Sequence, residues 1–312
     1  MSAPVILPIV LIDDITAKPG CRAQLVELFE SSYVPAARER GLELEDVSLN
    51  GEDDVLLRWT LADVATFWRA RRGSMMDPGV ARFWADAEPM VERRARRWPQ
   101  HSFEATAAES AQLLPPSSHQ IVLLAGSEPR PPVRISAGKS WIGQHLPGSV
   151  GPADASLELA LEAGSDVRLV DVPGAVDVVA LGDLVGGALR TPGIRDAIKR
   201  TLLLRVRPEV PNNTVDAFEQ ALLGMPHHIV AIRNWRLSRV AQSQSGWTHC
   251  WEQEYETLSG LKDEYMNHPY HWAHVDGFFD PEDPKCIVEP EINHLYFEIE
   301  SSILAAPASF ET

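Results

Sequence analysis

Residues 265–279 read YMNHPYHWAHVDGFF. His268, His271 and His274 recur every third position, with Tyr265 just upstream. An imidazole titrates near neutrality and can remove a proton next to a carbonyl. A phenol can hydrogen-bond the enolate oxygen that results. On an unbroken helix, Tyr265 and His271 would lie about 120° apart. Pro269 breaks that helix and can re-aim the second piece, so the pair can converge only because of the proline. Otherwise His271 caps or packs the helix and Tyr265 is a core residue with a wet hydroxyl. His268, just before the proline, reads as a cap. The HxxHxxH series slips by about 60° per step around a helix, and no carboxylate pattern stands near it, so no metal is expected. Asp276 could orient a histidine, although such a residue is more often solvated.

Strand HCWEQEYET places His249, Trp251, Gln253 and Tyr255 on one face, and Cys250, Glu252 and Glu254 on the other. The first set, with Trp235 from a neighbouring strand, suits the wall of a pocket for a flat, oxygenated ligand, or an ordinary core.

The elements that must position these groups repeat. PVILPIVLIDDI is a strand, and CRAQLVELFESSYVPAARERG a helix with Leu25, Phe29 and Tyr33 on one face and Gly41 as its stop. LELEDVSL and DVLLRWTL are strands, the second alternating Val55, Leu57, Trp59 and Leu61. A long helix carrying Pro78 follows, and VERRARRWP (91–99) reads as its solvated end. The same β-α-β-β-α order returns near the C-terminus, closing with a strand in KCIVEPEINHLYFEIE. The middle stretch is a weaker copy. HQIVLLAGS is a strand, ADASLELALEAG a short helix, DVRLVDV and DVVALGDL strands, and GALRTPGIRDAIKR a helix with Pro192, with no evident fourth strand. Three prolines, in MDPGVARFW, RTPGIRDAI and NHPYHWAHV, each fit the first turn of a new helical piece. Two loop-like stretches, 104–118 and 127–153, mark boundaries, the second with room for one short strand.

The expected fold class is α+β: tandem ferredoxin-like repeats with antiparallel sheets, of the dimeric α+β barrel type. The expected domains are 1–110, a degenerate middle domain at 116–198, and 199–305. The first and third sheets are expected to pair, within the chain or across a dimer.

The last copy resembles the stress-responsive α/β-barrel (Dabb) family. The resemblance is carried by LLLRVRPEV, GMPHHIVAIRNWRLSR, HCWEQEYET and above all LKDEYMNHPYHWAHV, with its tyrosine followed by His-Pro-x-His. The first copy is more loosely similar to the antibiotic-biosynthesis-monooxygenase and NIPSNAP branches of the same superfamily. Relatives of the olivetolic acid cyclase type close a polyketide by aldol condensation without a cofactor. The resemblance implies Tyr265 and His271 as the acting pair. The family often carries a histidine early in its first strand; here that slot holds Arg200, which becomes a candidate anion anchor. In the first copy the His-Pro-x-His slot holds Asp77, Pro78, Gly79 and Val80, so that copy keeps the fold without the acid–base pair.

The functional expectation is a cofactor-independent enzyme acting by proton abstraction: an aldol-type cyclase, retro-aldol lyase or isomerase. His271 and Tyr265 would be catalytic, and Arg200, His249, Trp251, His268 and Trp235 would bind substrate. A cofactor-free monooxygenase of polyphenols, a non-catalytic ligand-binding protein and, more distantly, a haem protein are the alternatives. A formal charge of −16, from 28 basic and 44 acidic residues, disfavours nucleic acid and anionic membranes as partners. A small-molecule substrate is the expected partner, and a homodimer stays open. The 3 cysteines show no CxxC or zinc spacing, which fits a reduced cytoplasm. AGKS (137–140) lacks the upstream glycine of a phosphate loop.

Overall fold

The structure, a computed structural model, describes residues 8–99, 111–115, 118–126, 138–161, 172 and 174–306. The chain forms two compact units, one of residues 1–104 with 271–287, the other of 105–270 with 288–312. Among the described residues, no helix is long and apolar enough to cross a membrane.

The first unit holds strands β1 (Ile9–Ala17), β2 (Glu43–Asn50), β3 (Asp54–Leu61) and β4 (Val91–Arg97) in the order β2-β3-β1-β4, all antiparallel. That is the ferredoxin-like order. Val55, Leu57, Trp59 and Leu61 are buried on one face of β3, as their alternation requires. They meet Leu25, Phe29 and Tyr33 from a helical run made of α1 (Arg22–Leu28), a π-helical turn (Phe29–Tyr33) and α2 (Val34–Glu39). Gly41 stops that run at φ +95°, a conformation only glycine adopts freely. The second helix divides at Pro78 into α3 (Val64–Met76) and α4 (Pro78–Ala87). Asp77 caps the new piece, its Oδ1 accepting from the Gly79 amide at 2.8 Å. VERRARRWP is not a helix end: Val91–Arg97 is β4, and Arg96 on it is buried.

The second unit is one eight-stranded antiparallel sheet. Its strands are β5 (Ser118–Leu124), β6 (Gly138–Gln144), β7 (Ala155–Leu161), β8 (Ala175–Leu189), β9 (Arg195–Leu204), β10 (Asn234–Gln242), β11 (His249–Tyr255) and β12 (Asn293–Ser301). They run β12-β9-β11-β10-β8-β5-β7-β6. Each half repeats the ferredoxin-like order, the middle stretch as β8-β5-β7-β6 and the last as β12-β9-β11-β10.

Three expectations are corrected here. ADASLELALEAG is not a helix; it carries strand β7, every residue of which up to Ala160 is buried. GALRTPGIRDAIKR is the end of β8, a turn at Pro192 and the start of β9. The middle stretch does have four strands among the described residues: β5 and β8 where strands were expected, β6 in the stretch with room for one, and β7 in place of the helix, with β8 pairing to β10. So the last sheet is hydrogen-bonded to the middle one. DVRLVDV lies outside the described residues except for Val172.

The sheet curls almost into a barrel. Lys199 on β9 reaches Glu158 on β7 at 2.9 Å, although four strands separate them in sheet order. At the seam the Leu146 and Val150 amides donate to the Tyr296 and His294 carbonyls of β12, at 2.9 and 2.8 Å. A Cβ on Gly143 of β6 would lie 2.0 Å from the Phe297 ring, so only glycine lets β6 approach β12 there. Leu203, Cys250 and Leu295 pack with Ile121, Leu123 and Val179 in one buried cluster. Outside lies α5 (Asn212–His228), whose Phe218 and Leu222 are buried.

Candidate functional site

The segment LSGLKDEYMNHPYHWAHV folds as two π-helical pieces, Gly260–Tyr265 and Tyr270–Val275, with Pro269 opening the second. His268 acts as the expected cap: its Nδ1 accepts from the Tyr270 amide at 3.1 Å. Burial, together with neighbouring His228, pushes its pKa down. The chain passes from one unit to the other at Tyr270/His271. Tyr265 therefore belongs to the second unit, and His271 to the first, where its ring lies 5.1 Å from that of Trp68.

Tyr265 is buried over the helix-facing side of β9 and β11. Its ring meets Tyr255 edge-on at 5.8 Å, and the Arg200 guanidinium lies 5.0 Å from its centroid. Arg200 Nη1 donates to Gln253 Oε1 at 2.5 Å and its Nε donates to His294 Nε2 at 2.6 Å. Antiparallel register explains the grouping: Arg200 pairs with Gln253 on one side and Tyr296 on the other. Trp251, Gln253 and Tyr255 alternate along the same face of β11. Trp235 is the register partner of Gln253 on β10 and lies 5.4 Å beneath the Arg190 guanidinium.

Three polar atoms on this face have no hydrogen-bond partner among the described residues: Trp251 Nε1, Gln253 Nε2 and Tyr255 OH. All three side chains are fully buried. Leaving such a group unmet costs about 1–3 kcal/mol. Three of them side by side, next to a buried guanidinium, form a donor-rich surface suited to a ligand oxygen. Burial, reinforced by Tyr265, holds the Tyr255 phenol well above its ordinary pKa, so it stays a donor at neutral pH.

His249 shares the face but stands apart. Its Nε2 is 3.1 Å from Glu219 Oε1 on α5 and its Nδ1 is 2.8 Å from the Thr248 hydroxyl. At six residues from Tyr255 along an extended strand, it lies roughly 20 Å away. The residues brought together are thus Tyr265, Arg200, Trp251 and Trp235. Gln253 and Tyr255, expected on the same wall, join them as polar contributors, and the structure adds His294. The alternation of His294 with Tyr296 in INHLYFEIE, read against the register of β9, is the signal that marks His294.

Residues 198–288 match the model of the Stress responsive A/B Barrel Domain family. That segment is similar to a stress-responsive A/B barrel domain. Among solved structures, the chain resembles an uncharacterized NIPSNAP domain protein from Burkholderia xenovorans at 12% identity, covering 33% of this chain and 100% of that one, with a TM-score of 0.27. It also resembles a putative monooxygenase from Fusobacterium nucleatum at 8% identity, covering 95% and 94% of the two chains, with a TM-score of 0.26. An anthrone oxidase-like protein matches at 8% identity and 97% of both chains, with a TM-score of 0.23. Likenesses this distant carry no functional argument. No curated protein matches the chain. The A/B barrel domain contributes Arg200, Trp251, Gln253, Tyr255 and Tyr265; His294 follows it on β12.

The first unit has its own buried polar layer, and residues 276–283 supply most of its acids. Arg96 donates to both carboxylate oxygens of Asp13 at 2.8 and 3.1 Å, to the Tyr33 hydroxyl at 3.1 Å and to Asp280 at 3.3 Å. Tyr33 donates to Glu282 at 2.8 Å, and Arg71 Nε donates to Asp276 at 2.8 Å. Asp276 is thus a buried ion-pair partner rather than a solvated residue. Burial, partly opposed by Arg71 and reinforced by Asp280, raises its pKa to about 6. A carboxyl whose folded pKa is raised stabilises fully below its unfolded pKa. That contribution is lost as pH climbs from the ordinary aspartate value through about 6. The wild-type protein is therefore expected to lose stability relative to Asp276→Asn over that window, by up to about 1.4 kcal/mol per pH unit. Paired urea titrations at several pH values check this; parallel curves would refute it.

Proposed function

We propose that the chain is a cofactor-independent enzyme that binds a carbonyl-bearing small molecule against the helix-facing side of β9 and β11 and polarises its oxygen. The supporting observation is the row of unpartnered buried donors on β11, Trp251 Nε1, Gln253 Nε2 and Tyr255 OH, beside Arg200 and beneath Tyr265. Such donors strengthen as charge develops on the oxygen, which favours the transition state over the bound substrate. The reaction class is proton abstraction next to the carbonyl. The C–H electron pair becomes the enolate, whose oxygen is held by these donors. The enolate carbon then attacks a second carbonyl or takes a proton back. Aldol-type cyclisation, its reverse and isomerisation share this step.

An imidazole receives the proton. His271 is the one that the family resemblance implies; His294 is the one hydrogen-bonded to Arg200. His294 Nε2 accepts from Arg200, so that nitrogen becomes a base once a substrate oxygen draws the guanidinium away.

The test is turnover of polyketones and aryl β-diketones by the purified full-length chain, followed by absorbance. Tyr255→Phe and Gln253→Leu are each expected to lower kcat roughly 10²-fold, the usual effect of removing one oxyanion donor, while KM moves little. His271→Ala and His294→Ala, compared in the same assay, assign the base. Saturable binding with no turnover, or turnover indifferent to Tyr255, Gln253, Tyr265 and Arg200, would refute the proposal. The first outcome would favour a non-catalytic ligand-binding protein.

A further inference from the structure

The first unit carries a cavity of about 200 Å³ between its helices rather than against its sheet. Its walls come from the α1–α2 run and from α4, including Tyr33, Ala36, Val80 and Phe83. At its wall lies Arg40, whose side chain is only 8% exposed. Arg40 Nη2 donates to Glu282 Oε1 at 2.6 Å. Its Nε and Nη1 have no hydrogen-bond partner among the described residues. Nη1 lies 3.7 Å from Asp77 Oδ2, within ion-pair reach but beyond hydrogen-bond range. Asp77 is already engaged in capping α4 and is half exposed. Gly73 on α3 keeps the arginine stem in place; a Cβ there would lie 3.0 Å from Arg40 Cδ.

A buried guanidinium with one hydrogen-bonded carboxylate, a second only at ion-pair distance, and two nitrogens without hydrogen bonds is costly unless something supplies further acceptors. A carboxylate does so with two oxygens and charge-assisted bonds, which are roughly twice as strong as neutral ones. Leu28, Ala36, Val80 and Phe83 supply an apolar side, and Ser32, Arg82, Asp77 and Asp86 also line it. The volume lies below the roughly 300–1,000 Å³ of sites for drug-sized ligands, so the occupant is small. We propose that this interhelical cavity is a binding site for a small apolar carboxylic acid, its carboxylate on Arg40 and its hydrocarbon against Phe83 and Val80. The site lies wholly in the first unit and is independent of the reading given for the A/B barrel domain.

The test is calorimetric titration of the full-length chain with 3-phenylpropionate, benzoate and hexanoate, and with the methyl ester of each. At least one acid is expected to saturate the protein, and its ester to bind about tenfold more weakly or less. Arg40→Lys keeps a cation for Glu282 but loses the planar fork, and is expected to weaken the acid about tenfold. Ala36→Phe fills the cavity and is expected to abolish binding; thermal melts establish whether this variant folds, and Arg40→Lys gives the answer if it does not. Equal affinity for acid and ester, acid binding unchanged by Arg40→Lys, or no heat from any acid up to about 10 mM would each overturn the proposal.

Discussion

Glu252→Gln is expected to destabilise the eight-stranded unit by about 3–5 kcal/mol, the usual cost of breaking a buried ion pair from one side. Glu252 is fully buried. It takes Lys199 Nζ at 2.6 Å on one oxygen and Arg236 Nε at 2.6 Å on the other. Burial pushes its pKa up, but Arg236 and Lys199 outweigh that and hold it at about 2. Its contribution is therefore fully present above the ordinary glutamate range and is lost as pH falls toward 2. The amide would leave Lys199 with the Glu158 carboxylate and the Thr201 hydroxyl, and Arg236 without its carboxylate. Replacing all three at once, as Lys199→Met, Glu252→Leu and Arg236→Met, removes charges together and is expected to cost far less than the single change. Urea unfolding midpoints decide it. A loss under about 1 kcal/mol for Glu252→Gln would mean that water already reaches this network.

Arg96→Leu is expected to do comparable damage in the first unit. Arg96 is buried and donates to Asp13, Tyr33 and Asp280, with Glu282 at 3.6 Å. Without it, three carboxylates face one another with no central cation, at a cost of about 3–5 kcal/mol. Arg96→Lys restores the charge but not the fork that meets both Asp13 oxygens, so it is expected to recover part of the loss. Arg93 is the control. It lies on the same strand with its side chain 59% exposed, and Arg93→Leu should move stability by no more than about 1 kcal/mol. If the two leucine variants melt together, the buried layer contributes nothing.

Much of the fold is legible in the residues themselves. Val55, Leu57, Trp59 and Leu61 announce β3 by alternation, and Pro78 and Pro269 mark new helical pieces because a proline needs no amide partner there. The middle stretch misleads for a physical reason. Ala155–Leu161 is rich in good helix formers, but β5 and β6 hydrogen-bond to its two edges and all but its last residue are buried, so tertiary context overrides propensity. Arginines in VERRARR look solvated because the partners of Arg96 are distant in sequence. The candidate site is half legible. Trp251, Gln253 and Tyr255 follow from strand alternation, and Arg200 from its place in the first strand of the A/B barrel domain. That Gln253 meets Arg200, and that His294 joins it, depends on register, which a single sequence does not encode locally. The division of Tyr265 and His271 between two units is a long-range property with no local signal at all.

Because residues 271–287 complete the first unit, the opening stretch of chain cannot reach its native state when it leaves the ribosome. Translation at about 5–20 residues per second puts roughly ten to forty seconds between residues 104 and 287. Through that interval Arg40, Arg71 and Arg96 wait without the acids of the 276–283 stretch, and the nascent segment is exposed to chaperones and proteases. The portion made first is thus completed only near the end of synthesis, shortly before β12 completes the second unit.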